Sequence, residues 1–159
     1  MKAASLKEIK TELSYASQAE LLELCLRLTK FKKENKELLT YLLFEASDEE
    51  GFIQTVQDEA DELFSQINTN SYFYMKKTIR KILRMLKTNI RYSKKKETEV
   101  ELLLYFCTRL KALKPSIQYS LLLKNLYKRE LLAIEKKVAL LHEDLQYDYK
   151  ETLCELKSF

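Results

Sequence analysis

Glycine and proline are almost absent from this sequence: Gly51 and Pro115 are the only two among 159 residues. A chain of this length and average composition would carry about 19 of them. Strand hairpins, phosphate-binding loops and dinucleotide-binding turns need glycine where the backbone turns tightly or comes close to a phosphate. Because 46% of the residues are hydrophobic and 33% are charged, the chain is predicted to fold as an all-α protein.

Capping residues and apolar periodicity divide the chain into about six to eight helices within one domain over residues 1–159. The S-x-x-E spacing of a capping box occurs at Ser17 and again at Ser47, and the polar run 68–71 is the clearest break. Residues 115–142 keep a helical period throughout, which is compatible with one long helix or with two. The predicted architecture is a helical bundle or a short stack of helical hairpins.

The segment from Ser5 to Leu43 opens with a short LKEL-like helix that is followed by an S-x-x-ELLEL-like helix. The residues that carry this pattern are Leu6, Lys7, Glu8, Leu13, Ser17, Glu20, Leu21, Leu22, Glu23 and Leu24. In this pattern the segment resembles the opening of a group of small, uncharacterised bacterial all-helical proteins. The resemblance covers about a quarter of the chain and implies no activity.

The residue types give little support to an enzymatic or metal-dependent function. His142 is the only histidine, so a two-histidine metal site or a histidine relay would have to be built around that residue alone. The carboxylates of Glu59 and Glu62 lie one helical turn apart, which is typical of a solvated acidic face. We therefore predict no catalytic residue, no metal ligand, no cofactor and no small-molecule substrate.

The cysteines and the apolar runs predict a cytoplasmic protein without a membrane partner. Cys25, Cys107 and Cys154 form an odd set without a C-x-x-C pair, so they are predicted to be reduced thiols that fill small core positions. The longest apolar run is far shorter than the roughly 18 residues that a membrane span needs.

The charges are segregated along the chain, although the net charge is only +4. Eight acids and no bases lie between Glu45 and Glu62, whereas ten bases and no acids lie between Lys76 and Lys96. The ten bases are Lys76, Lys77, Arg80, Lys81, Arg84, Lys87, Arg91, Lys94, Lys95 and Lys96. Like charges four residues apart repel each other in a helix, so the basic segment is expected to meet a counter-charge.

Two partners would supply that counter-charge. One is a nucleic-acid backbone, with Tyr72, Tyr74 and Tyr92 as stacking groups and Asn89 as a polar contact. The other is the acidic helix over 48–67, from the same chain or from a second copy. If the apolar stripes of both helices enter one core, both charged faces turn outward, so the basic face is expected to remain open.

These observations predict a non-enzymatic interaction module that works through its outer helical faces. The first candidate function is a protein-binding scaffold or adaptor, whose partner is another protein or a second copy of the chain. The alternative is a protein that binds the RNA or DNA backbone through the basic helix 76–96. A solvated basic face without any partner is the third interpretation.

Overall fold

The computed structural model describes residues 1–158, and every regular element in that range is helical. The eight α-helices are α1 (Leu6–Tyr15), α2 (Gln18–Phe31), α3 (Lys33–Thr40), α4 (Glu49–Ser65), α5 (Tyr72–Ser93), α6 (Lys96–Ala112), α7 (Leu121–Val138) and α8 (Glu143–Lys157). A π-helical turn (Tyr41–Glu45) and a 3-10 turn (Ile117–Tyr119) complete the set. The prediction of an all-α fold with six to eight helices is confirmed. Among the described helices, none has the length and apolar character needed to cross a membrane.

One of the two predicted capping boxes is confirmed and the other is wrong by one residue. Ser17 Oγ accepts the Glu20 N–H at 3.3 Å, and the Glu20 carboxylate accepts the Ser17 N–H at 2.7 Å. At α4 the cap is Asp48 rather than Ser47, and the Asp48 carboxylate accepts the Gly51 N–H at 3.0 Å. A Cβ atom on Gly51 would collide with this carboxylate, so the single glycine allows the tight cap.

The region 115–142 contains one long helix, and a break separates it from the next. α7 follows the cap residue Ser120 and ends at Val138. α8 then begins behind His142, whose Nδ1 accepts the Asp144 N–H at 3.4 Å. The imidazole therefore caps the start of a helix, and its hydrogen bond has a purely structural explanation.

The described chain divides into two compact units, residues 1–44 and the residues from Glu45 onward. The first, which we call the N-terminal unit, contains α1, α2 and α3, and none of these helices has a buried residue. α2 and α3 pack against each other, and Asn35 Nδ2 donates to the Leu28 carbonyl at 2.8 Å. The single domain over residues 1–159 stays a prediction.

The second unit, which we call the C-terminal unit, is built around α6. The apolar residues of this helix occupy most of its circumference, and α6 contacts α4, α5, α7 and α8. Its fully buried positions include Leu102, Phe106 and Leu110. Because α5 and α7 both pack on α6, these two helices lie side by side. The ion pair between Lys87 of α5 and Glu130 of α7 joins them.

The predicted core role of the cysteines is confirmed for Cys107 and wrong for Cys25 and Cys154. All three are free thiols, but only Cys107 is buried. Burial, together with the nearby charge of Glu130, raises the pKa of the Cys107 thiol to about 12. Cys25 lies in α2, which buries nothing, and Cys154 lies on the outward side of α8, so neither finds a core.

Candidate functional site

The prediction of one basic helix over 76–96 is wrong at its end, because α5 ends at Ser93. Lys94 and Lys95 lie in the connection, and Lys96 begins α6.

The other seven bases lie on α5, and the packing of this helix turns them outward. α5 begins after Ser71, whose Oγ accepts the Tyr74 N–H at 3.4 Å, and it continues for 22 residues. The apolar stripe of α5 is buried: Met75, Ile79, Ile82 and Leu86 have no exposed surface. Since residues of a helix diverge by about 100° per position, burial of this stripe leaves the lysines and arginines on the open side.

Of the ten bases singled out in the sequence, two form ion pairs with carboxylates. Lys95 Nζ lies 2.9 Å from Glu49 Oε2 of α4, and Lys87 Nζ lies 2.9 Å from Glu130 Oε2 of α7. The other eight have no carboxylate partner within residues 1–158. The acidic helix α4 thus neutralises one base of the ten, and its Asp61 pairs instead with Arg109 of α6.

A shallow groove of about 540 Å³ lies between α5 and α7, and five of its eight lining residues carry a positive charge. The cations are Arg80, Arg84, Lys87 and Arg91 of α5 and Arg129 of α7. Thr88 adds a hydroxyl, and the nearly buried side chains of Leu83 and Leu126 provide apolar surface. We call this feature the basic groove. It combines positive charge from two helices that are far apart in the sequence.

One buried carboxylate sits beside the basic groove. Glu130 is 1% exposed, and its carboxylate contacts Lys87 and, at 3.2 Å, Nη2 of Arg129. A buried carboxylate needs such partners because leaving it unpaired is costly. Glu130 therefore holds two of the five groove cations in place and leaves Arg80, Arg84 and Arg91 without a carboxylate among the described residues.

An exposed aromatic pair stands at the N-terminal end of the same helix face. Phe73 is 56% exposed. Its ring makes an edge contact with the Tyr74 ring, and the two ring centroids are 5.5 Å apart. Lys77 Nζ lies 4.5 Å from the centre of the Phe73 ring. At helical spacing Phe73, Lys77, Arg80, Arg84, Lys87 and Arg91 fall within about 80° of one another. We call this row the cationic line.

Three of the four accessory residues suggested by the sequence are already engaged or buried. The Tyr72 hydroxyl donates to a backbone carbonyl just before the 3-10 turn at 2.7 Å, and Tyr92 is 8% exposed. Asn89 Nδ2 donates to a carbonyl of its own helix at 3.1 Å. These three residues are therefore held by the fold, whereas Tyr74 is exposed, as a stacking group must be.

Phe73, Arg129 and Glu130 were not identified from the sequence. Phe73 follows the same helical spacing as Lys77 and Arg80, so the period of α5 could have included it. Arg129 offers no such signal, because only the packing of α7 beside α5 brings it to the groove. Throughout the part of the chain that the structure describes, no group of three or more histidine, cysteine, aspartate or glutamate side chains is arranged to hold a metal ion.

The fold and the site together define an all-helical protein with an open cationic groove between two of its helices. The chain matches no protein-family model, no curated protein and no solved structure. The resemblance of residues 5–43 to small bacterial helical proteins stays a prediction.

Proposed function

We propose that this chain is a non-enzymatic interaction module that binds the phosphate backbone of nucleic acids through its basic groove. The observation that carries the proposal is the lining of that groove, where five cations from α5 and α7 meet a single carboxylate, Glu130. Phosphate backbones release condensed counterions when lysine and arginine neutralise them, which is the main driving force of sequence-independent binding.

The chemistry of the groove fits phosphates better than it fits bases or small substrates. Arginine presents a planar fork of donors that matches two oxygens of a phosphate, and Arg80, Arg84 and Arg91 are exposed. Repulsion within pairs such as Arg80 and Arg84 costs a few tenths of a kcal/mol each in an isolated helix. A polyanion in the groove offsets this repulsion.

The proposal includes no cofactor, no metal and no catalytic residue. It also includes a cytoplasmic location, because the cytoplasm keeps thiols reduced and the three cysteines of the chain are free.

Direct binding at low salt tests the proposal. We expect a fluorescently labelled oligonucleotide to gain anisotropy when it is titrated with the protein at about 50 mM salt, with a Kd in the micromolar range or below, as for sequence-independent binders. An equal titration with an uncharged labelled polymer is the control. If the oligonucleotide shows no binding at this salt concentration, the proposal fails.

A protein-binding adaptor is the second candidate, and the N-terminal unit is the observation that favours it. From Leu6 onward, thirteen large apolar residues of this unit are at least 37% exposed. They are Leu6, Ile9, Leu13, Tyr15, Leu21, Leu22, Leu24, Leu26, Leu28, Phe31, Leu42, Leu43 and Phe44. Apolar side chains exposed in such number are typical of protein interaction sites.

A second copy of the chain is the partner that can be tested directly. We expect sedimentation velocity to show self-association as the protein concentration rises from about 1 to 100 μM. This range resolves a dimer whose Kd lies at about 1 to 100 μM. Replacing Leu22, Leu26 and Leu28 by serine should keep it monomeric, because α2 then loses apolar surface. The matched control replaces Leu122, Leu132 and Leu140 by serine, since all three are exposed in the C-terminal unit. A monomer at every concentration would contradict self-association.

A further inference from the structure

Phe73 is an exposed aromatic residue that the backbone-binding function does not explain. A phosphate backbone has no apolar face, so a cationic groove gains nothing from a phenylalanine ring at its end. Yet Phe73 is 56% exposed, and the contacts with Tyr74 and Lys77 hold its ring at the start of the cationic line. An aromatic ring in this position matches the flat face of a nucleic-acid base.

The cationic line has the length of a short single-stranded site. Phe73 and Arg91 are 18 positions apart, and at 1.5 Å per residue the line extends over about 27 Å. Proteins that bind single strands without sequence preference combine a positive groove along the backbone with aromatic rings on which bases stack. Both components occur here on one face of α5.

The availability of base faces separates single strands from duplexes. The backbones of both carry phosphates that the cations of the groove can neutralise. In a duplex the bases are stacked on one another, so their faces are not available to Phe73.

We propose that the basic groove takes single-stranded nucleic acid and that the exposed Phe73 ring stacks on one of its bases. This inference rests on the proposed backbone-binding function and names its substrate class. Arg80, Arg84 and Arg91 neutralise successive phosphates, and the base at one end lies on the Phe73 ring. A base that stacks there displaces the Lys77 ammonium group, whose flexible arm then reaches the adjoining phosphate.

The test compares the wild-type protein with the Phe73→Leu and Phe73→Trp variants on three probes. The probes are a labelled single-stranded oligothymidylate, the corresponding duplex and inorganic polyphosphate, which carries phosphates but no bases. We expect Phe73→Leu to weaken oligothymidylate binding by about tenfold or more, as loss of a stacked base does, and to leave the affinity for polyphosphate unchanged. Phe73→Trp should retain or improve oligothymidylate binding.

Matched controls separate stacking from a general loss of structure. Tyr147→Leu removes another exposed aromatic ring from the same unit and should leave all three affinities unchanged. Thermal unfolding of each variant, monitored by circular dichroism, checks that the fold is retained. Since Phe73 is largely solvated, Phe73→Leu is expected to unfold close to the wild-type temperature.

Failure of the inference and failure of the proposed function give different results. If the wild-type protein binds all three probes and Phe73→Leu weakens none of them selectively, backbone binding stands and stacking is overturned. If the wild-type protein binds none of them, both are overturned. If polyglutamate competes as well as oligothymidylate does, the groove is an acceptor of acidic protein segments, and single-strand recognition is overturned.

Discussion

Replacing Arg80, Arg84 and Arg91 by glutamate is expected to weaken oligonucleotide binding by about 1,000-fold or more. The three arginines lie in the basic groove without a carboxylate partner among the described residues, so their cations are the ones available to phosphates. Reversal of three charges removes three attractive contacts and creates three repulsive ones with the backbone. Fluorescence anisotropy at about 50 mM salt measures the change.

The triple variant should still fold, because the exposed arginines contribute little to the free energy of unfolding. Substitutions at such positions usually change it by less than about 0.5 kcal/mol each. Lys87 is not replaced, because it pairs with the buried Glu130 carboxylate and its loss would affect the fold. Lys87→Glu would place two carboxylates next to each other. Circular dichroism and thermal unfolding should show a native helical protein.

A control variant with the same change in net charge tests whether the position of the reversed charges matters. Lys114, Lys136 and Lys150 are exposed and lie outside the groove lining. Their replacement by glutamate should weaken binding far less, because these lysines do not line the groove that holds the phosphates. If both triple variants lose binding equally, net charge rather than the groove is responsible, and the groove loses its assigned role.

Raising the salt concentration from about 50 to 200 mM is expected to weaken binding by about 20- to 40-fold. Arg80, Arg84 and Arg91 are the groove cations without a carboxylate partner among the described residues. Each neutralised phosphate contributes about 0.9 to the log-log slope on duplex DNA and about 0.7 on a single strand. Three contacts therefore predict slopes of about −2.7 and about −2.1 for the two substrates. Titrations at four or more salt concentrations with each oligonucleotide give the slopes.

A single substitution provides the internal check on this slope. Arg84→Gln should lower its magnitude by about 0.7 on a single strand, because one phosphate contact is removed. Lys136→Gln, which lies outside the groove lining, should leave the slope unchanged. A slope near zero for the wild-type protein would mean that apolar contacts such as those of Leu83 and Leu126 drive binding, which would contradict the phosphate assignment.

The local parts of this structure could be predicted from the sequence because they depend on neighbouring residues. α5 is the clearest example: the polar run 68–71 predicts where this helix begins, and its apolar period predicts the side on which its lysines and arginines lie. The cap of α4 shows the limit of such predictions. Ser47 and Asp48 are both good capping residues, and the choice between them depends on the backbone angles at the helix start.

The candidate site required more than local information. Arg129 and Glu130 lie in α7, more than 30 positions beyond the end of the basic segment at Lys96. Nothing in the local pattern there links them to the bases of α5. Tyr92 looked like a stacking group from its place among the bases, yet the core covers it. Phe73, one position away from a suggested tyrosine, is the ring that shares the face of the arginines.

The sequence by itself determined that this protein is helical, where α5 begins, and that the bases of α5 share one face. These features follow from glycine content, capping and the 3.6-residue period, which act over a few neighbouring positions. Only the tertiary structure decided that α4 neutralises a single base of the ten, that α7 supplies the second wall of the groove, and that Glu130 is buried against Lys87. The physical reason is that these contacts arise from the packing of α5 and α7 on α6, which joins residues that are distant in the chain.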